Sequence, residues 1–342
     1  MSIKRIIIIS LSLITILFIK KEAVAQGLHF SQFFQSPLST NPANTGFIPD
    51  ADYRFGAQYR QQYSNLIPLP YKTFSAYGDA QLLHDKIENG WVGAGLMLMS
   101  DVAGSGTLTS NKIYGSLAYH QMLGNASLLS AGFNLGWANK RINASNLKFP
   151  DQFNGFFFDS NLPTGVQLTS TAVQYFDMQA GINYAYFPND EVYFNAGYSI
   201  QHVNLPRETF FNDKSSNGII PMRHTGFLNA VIKVNDDLLL KPNLYYTNQA
   251  NASQLNFGIM ANYRLTVSGD KLLNFGCYSR NKDAVIPMLG LQLNQLEFNF
   301  SFDITTSSLK QFNYGSGASE ISITKKGLYK ASAGKPILCP TL

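Results

Sequence analysis

The side chains with chemistry to offer are few and scattered. His29, His84, His120, His202 and His224 stand far from one another and from Cys277 and Cys339. A zinc centre needs closely spaced nitrogen and sulfur ligands, so no metal site is expected. Cys277 falls in a strand-like stretch and Cys339 near the C-terminus. An oxidising compartment permits a disulfide, but a lipid-facing Cys277 and a tail Cys339 are expected to stay apart. The chain has no nucleophile elbow, phosphate loop or H-E-x-x-H. His202 and Asp101, with nearby serines, are the parts from which a hydrolase at the rim of a barrel would be assembled. Polar residues at a rim are ordinary, so the chain is read as neither an enzyme nor a cofactor protein.

Three Asn-Ala-Ser triplets, at Asn125, Asn143 and Asn251, match a glycosylation acceptor but read better as turn residues. "DQFNGFFFD" (Asp151–Asp159) is a stronger candidate site. Three consecutive aromatics, Phe156, Phe157 and Phe158, either fold back over a barrel mouth or form an apolar docking patch.

Positioning such residues requires a scaffold, and the N-terminus indicates where it resides. Lys4 and Arg5 precede an apolar run from Ile6 to Ile19, followed by Ala23-Val24-Ala25. This is the layout of a secretory signal peptide cleaved between Ala25 and Gln26, with a retained anchor as the alternative. Residues 1–25 hold four of the 26 basic and one of the 21 acidic residues, which leaves 22 and 20, a net of +2. Nucleic acid, which needs a basic stripe, is excluded as a partner. Charged residues are 14% of the chain, against roughly 25% in soluble domains. With 25 Phe, 18 Tyr and 27 Gly, and no second apolar run of helical span length, the composition fits a transmembrane β-barrel.

The periodicity agrees. In Phe176–Tyr186, Phe176, Met178, Ile182 and Tyr184 alternate with Asp177, Gln179, Gly181 and Asn183. Leu255–Leu265, Leu296–Thr305 and Val192–Gln201 do the same, the period of a strand and not of a helix. The segments run about 9 to 13 residues, long enough to cross hydrocarbon when tilted. Their polar faces are mostly uncharged, as in a narrow or packed lumen. Fourteen antiparallel strands are predicted, beginning near Tyr53, Thr73, Trp91, Leu108, Leu128, Gln174, Val192, Arg223, Leu238, Gln254, Lys271, Ala284, Gln295 and Ser319. Pro287 removes a ladder donor from the twelfth. Tyr53, Tyr59, Tyr184, Tyr186, Tyr245 and Tyr246 suit interfacial girdles, and Arg54, Arg60, Arg223 and Arg264 are candidate lumen charges. Short links (Pro188–Asp190, Asn235–Asp237, Ser268–Asp270) largely alternate with long ones (Asn146–Ala172, Asn204–Pro221). That asymmetry and the even count put both termini in the periplasm.

The stretch before the first strand, "FSQFFQSPLSTNPANTGFIPD" (Phe30–Asp50), fits no regular element. It and the two strands after it resemble the PorP/SprF family of type IX secretion system membrane proteins. The resemblance lies in Asn41-Pro42-Ala43, in Arg54, Gly56, Tyr59 and Arg60, in Pro70-Tyr71-Lys72-Thr73, in "LKFPDQF" (Leu147–Phe153), and in a tail carrying Cys339-Pro340. Thr341-Leu342 depart from the basic-aromatic pair that usually follows. The resemblance spans the mature chain and is dense in its first sixty residues.

It implies an outer-membrane barrel of the secretion and gliding machinery of a Gram-negative bacterium. Its partners would be a surface-exposed secreted protein, such as an adhesin, periplasmic secretion components and outer-membrane lipid. The chain then divides into a signal peptide (1–25), a periplasmic or plug segment (26–50), a barrel (51–324) and a periplasmic tail (325–342). Phe30, Phe33 and Phe34 are expected either to pack against inward aromatics of the lumen or to dock on a periplasmic partner. A passive or lipid-ligand transporter is the alternative function.

Overall fold

The computed structural model describes residues 30–329 apart from 85, 105–107, 144–146, 148, 160, 167–169 and 212–217. The expected signal cleavage between Ala25 and Gln26 and the tail pair Cys339-Pro340 lie outside the described residues.

Fourteen antiparallel strands form a closed barrel. They are β1 (Tyr53–Gln62), β2 (Tyr71–Leu82), β3 (Gly90–Ala103), β4 (Leu108–Met122), β5 (Ser127–Arg141), β6 (Ala172–Asn189) and β7 (Val192–Gln201). The second half is β8 (Arg223–Asn235), β9 (Leu238–Gln249), β10 (Ala252–Arg264), β11 (Lys271–Arg280), β12 (Ala284–Leu293), β13 (Leu296–Thr305) and β14 (Ser316–Gly327). Each strand pairs with the next, and β14 closes onto β1 from Tyr53↔Gly327 to Gln62↔Ala318. Closure leaves no unpaired edge, the condition for crossing hydrocarbon with strands. The expected strand starts and the observed ones agree within three residues.

Alternation fixes the two faces. On β6, Phe176, Ile182, Tyr184 and Tyr186 are exposed on the outer wall, while Asp177, Gln179 and Asn183 are buried in the lumen. Cys277 is also exposed, on the outward register of β11. Proline interrupts the wall at Pro188, Pro242 and Pro287, the first where the β6–β7 ladder passes from Tyr186↔Phe194 to Asn189↔Val192. The β12–β13 ladder passes from Val285↔Ile304 to Met288↔Ser301 across Pro287, as its missing N–H requires. The β8–β9 ladder likewise passes from Asn229↔Asn243 to Ile232↔Leu240 beside Pro242.

Two sequence expectations are corrected. The wall runs through Gly327, so Lys325 and Lys326 belong to β14 and not to a tail. Lys325 follows Ile321 and Ile323 along the outer face, where a long stem reaches the wall's end with its charge in water. Lys326 turns the other way and pairs with Asp50 at 2.8 Å. Tyr245 is no girdle residue: it is buried in the lumen, and its neighbour Tyr246 is the outward one. Consecutive aromatics on a strand must face opposite ways.

Candidate functional site

The lumen is occupied by the chain's own N-terminal segment. Residues 30–48 are almost all buried, and they run from the end of the barrel bearing the long connections to the end where β1 begins. Three single helical turns, Phe33–Gln35, Pro37–Thr40 and Pro42–Asn44, shape this path. Proline opens the second and third, where its fixed φ is suitable and its missing N–H costs nothing.

A buried ion network holds the start of the segment. Glu320 accepts the backbone N–H groups of Ser31 and Gln32, each at 2.9 Å. Arg60 donates to Ser31 Oγ at 2.6 Å, to Glu320 at 3.1 Å and to Asp303 at 2.8 Å. Arg280 also donates to Asp303, at 2.5 Å, and to Ser31 Oγ at 3.2 Å. All six residues are buried. Two guanidinium and two carboxylate groups cancel in charge and satisfy one another, the condition under which buried ions are tolerated.

Aromatic contacts follow. Phe33 stacks on Tyr245 with ring centres 4.9 Å apart, and Phe34 stacks on Tyr278 at 5.3 Å. Phe30 joins Leu38, Tyr77, Met97, Met99 and Tyr114 in a separate cluster.

The Asn41-Pro42-Ala43 turn rests on a floor of lumen glycines. Asn41 donates from Nδ2 to the carbonyl of Ile182 at 2.8 Å and accepts the N–H of Ala43 at 2.9 Å. A Cβ on Gly181 would lie 2.0 Å from Asn41 Oδ1, one on Gly132 2.4 Å from the Pro42 carbonyl carbon, and one on Gly93 1.9 Å from the Thr45 oxygen. Three inward positions on β3, β5 and β6 therefore accept no side chain while the segment is in place. Gly46, at φ +68°, donates to Asp79 at 2.8 Å, and Asp79 is paired with Arg54 at 2.7 Å. Trp91 Nε1 donates to the Gly46 carbonyl at 2.9 Å, in a stack of His84, Trp91 and His120.

The four described histidines are thus spread through the lumen and its wall. His202 bonds Asp177 at 2.9 Å and His224 bonds Tyr198 at 2.7 Å. Asp101 accepts from Thr73 at 2.6 Å, so it is not the partner of His202. Of the expected lumen charges, Arg54, Arg60 and Arg223 face inward with named partners, Arg223 donating to Thr247 at 2.9 Å.

At the opposite extreme stands the loop after β5. Phe156, Phe157 and Phe158 are 92%, 60% and 45% exposed. The loop is shaped by a bridge between Phe153 and Phe158 and by Asp151. Asp151 accepts the N–H of Gly165 at 2.7 Å and the hydroxyl of Thr164 at 2.9 Å. The Gly165 bond, ahead of the Thr164 bond, holds its carboxyl below the usual range.

Sequence reasoning named the aromatics, the Asn-Pro-Ala turn and Arg60. It did not name Asp303 and Glu320 as the partners of Arg60, nor Arg280 as a second donor to Ser31 and Asp303. Alternation places those three inward, but the closure of β14 onto β1 that sets Glu320 opposite Arg60, 260 positions away, leaves no local signal.

The family described as type IX secretion system membrane protein PorP/SprF matches residues 23–324, and the chain belongs to it. It is an outer-membrane component of that secretion system. No curated protein matches. Among solved structures, the toluene transporter TbuX of Ralstonia pickettii is similar at a TM-score of 0.52 and 11% identity, over 86% of this chain and 94% of that one. The monoaromatic hydrocarbon channel CymD is similar at 0.50 and 10%, over 90% and 96%. At such identities the likeness is one of fold alone.

Proposed function

We propose, with membership of the PorP/SprF family as the premise, that this barrel assists export or surface anchoring of a cognate secreted surface protein, and that it does so without catalysis. One observation carries the reading: the lumen is plugged by residues 30–48, bonded to β1, β6, β13 and β14. A barrel plugged by its own chain supports a role as an anchor better than one as a conduit. In this reading residues 26–50 are a plug and Ala25–Gln26 is the cleavage site. Both termini are periplasmic, and the long connections face outward. Phe156, Phe157 and Phe158 then meet the surface protein, while the tail with Cys339 and Pro340 meets periplasmic secretion components.

The test is a mild-detergent capture of the tagged barrel from outer membranes, with mass spectrometry of what accompanies it. A large surface protein or periplasmic secretion components are expected. Removal of residues 27–46 is expected to open a conductance in a planar bilayer. A solitary wild-type barrel that already conducts small solutes would replace this reading with a passive or lipid-ligand transporter.

A further inference from the structure

Beneath the plug lies a cavity of about 270 Å³, bounded by Phe33 and Phe34 on the plug side and reaching Pro49 and Lys326 at the end where β1 begins. Two chains of asparagine amides end in it. In the first, Asn229 donates to Asn195 at 2.8 Å, Asn195 to Asn183 at 3.2 Å, Asn183 to Asn44 at 3.1 Å, and Asn44 to the Pro37 carbonyl at 3.3 Å. In the second, Asn262 donates to Asn274 at 2.6 Å. Asn274 then donates to Glu297 at 3.1 Å and to Asn299 at 3.3 Å, and Asn299 donates to Glu297 at 2.9 Å.

Each chain is anchored on a group that only accepts, a carbonyl in one and a carboxylate in the other. An acceptor at the anchor forces every amide in the chain to present its NH₂ toward the anchor and its oxygen away from it. Neither terminal amide can therefore be turned round without breaking its chain. The free ends are Asn229 Oδ1 and Asn262 Oδ1. Both are buried at the atom and without a hydrogen-bond partner, and Asn262 is only 4% exposed as a residue. Both asparagines line the cavity.

Between these strands, on β9, stands Lys241, which also lines the cavity and makes none of the described ion pairs or side-chain hydrogen bonds. The cavity's charges cancel. Arg54 is paired with Asp79, Lys326 with Asp50, and Lys241 lies in the field of Glu297. The rings of Phe34 and Tyr278, with Phe227 and Met260, supply flat apolar walls.

We infer that this cavity is a binding site for a small neutral polyhydroxyl ligand, a mono- or disaccharide. Hydroxyl groups donate to Asn229 Oδ1 and Asn262 Oδ1 and accept from the Lys241 ammonium, and the C–H face of a sugar ring lies on the aromatics. A hydrocarbon would leave two buried carbonyls unpaired. A net anion would bring a second negative charge beside Glu297, which already shares the cavity with Lys241. The volume is just under the roughly 300–1,000 Å³ of drug-sized pockets. The inference does not depend on the proposed export role.

The test uses the full mature chain in an amine-oxide detergent, which carries no sugar headgroup. D-glucose and N-acetyl-D-glucosamine are titrated by saturation-transfer difference NMR, with acetate and toluene as the anion and hydrocarbon probes. Saturable sugar binding is expected. It should weaken by about tenfold or more in Asn229→Leu, the loss of one well-placed hydrogen bond. Lys241→Met, which sacrifices no described bond and so spares the fold, should weaken it as well. Sugar binding that neither change affects, binding of acetate or toluene alone, or no saturable binding at all would each overturn the assignment. Capture of a surface protein would stand or fall separately.

Discussion

Glu320 accepts the backbone N–H of Ser31 at 2.9 Å across 289 positions of sequence, and the same carboxylate takes the next amide, that of Gln32. The last strand of the barrel thus holds the start of the segment that plugs it. Replacing Glu320 by alanine removes the acceptor for two buried amides and leaves Arg60 with Asp303, which Arg280 already shares. Breaking a buried pair costs about 3–5 kcal/mol. Glu320→Ala is expected to lower unfolding stability by that order and to make residues 30–36 accessible to protease while the strands remain intact. Equal protection of the segment in both proteins would show that the network does not retain it.

The glycine floor gives a sharper contrast. Gly181→Val places a methyl-bearing carbon 2.0 Å from Asn41 Oδ1, whereas Gly115 has open space around its would-be Cβ. Gly181→Val is expected to displace the Asn41-Pro42-Ala43 turn and raise single-channel conductance. Gly115→Ala should change neither. A cysteine introduced at Ala43 and probed with a water-soluble maleimide reports the same displacement independently.

Much of this fold was legible because a barrel wall is a period-two object. Phe176 and Asp177 declare opposite faces by being neighbours, and the turn residues set the strand starts. What alternation does not carry is which inward residues meet. Tyr245 and Tyr246 look alike in the sequence, yet one stacks on Phe33 and the other faces outward. Asp303 reads as one more inward polar residue until Arg60 and Arg280 are brought to it from β1 and β11. Lys325 and Lys326 read as a solvated end because charge usually marks one. Only the register with Arg54 and Phe55 shows them to be wall residues.

The loop after β5 carries a pH dependence. Asp151 has its folded pKa lowered, first by the Gly165 N–H and then by the Thr164 hydroxyl. A depressed carboxylate pKa contributes order that is complete above the ordinary range and is lost as pH falls through the lowered value. Hydrogen exchange at the Gly165 amide should therefore be slow at neutral pH, relative to its intrinsic rate, and lose protection below the ordinary carboxylate range. Asp151→Asn should lack that transition. A transition centred at the ordinary carboxylate pKa would show the bonds to be absent in solution.

Phe156, Phe157 and Phe158 stand exposed on that loop, Phe156 almost completely. Exposed aromatics contribute nothing to the barrel's core, so a triple change to serine should leave unfolding stability within about 0.5 kcal/mol. Their cost is one of solubility, which a surface partner would relieve by covering them. At interfaces a few aromatic anchors supply most of the affinity, each worth about 2 kcal/mol or more on truncation. The triple variant is therefore expected to reach the outer membrane at wild-type levels, to resist heat as the wild type does, and to lose most of the surface protein in a detergent capture. Periplasmic components should still be recovered, because they would meet the other end of the barrel. Undiminished recovery of the surface protein would remove this loop from the interface and move the search to the loop between β7 and β8.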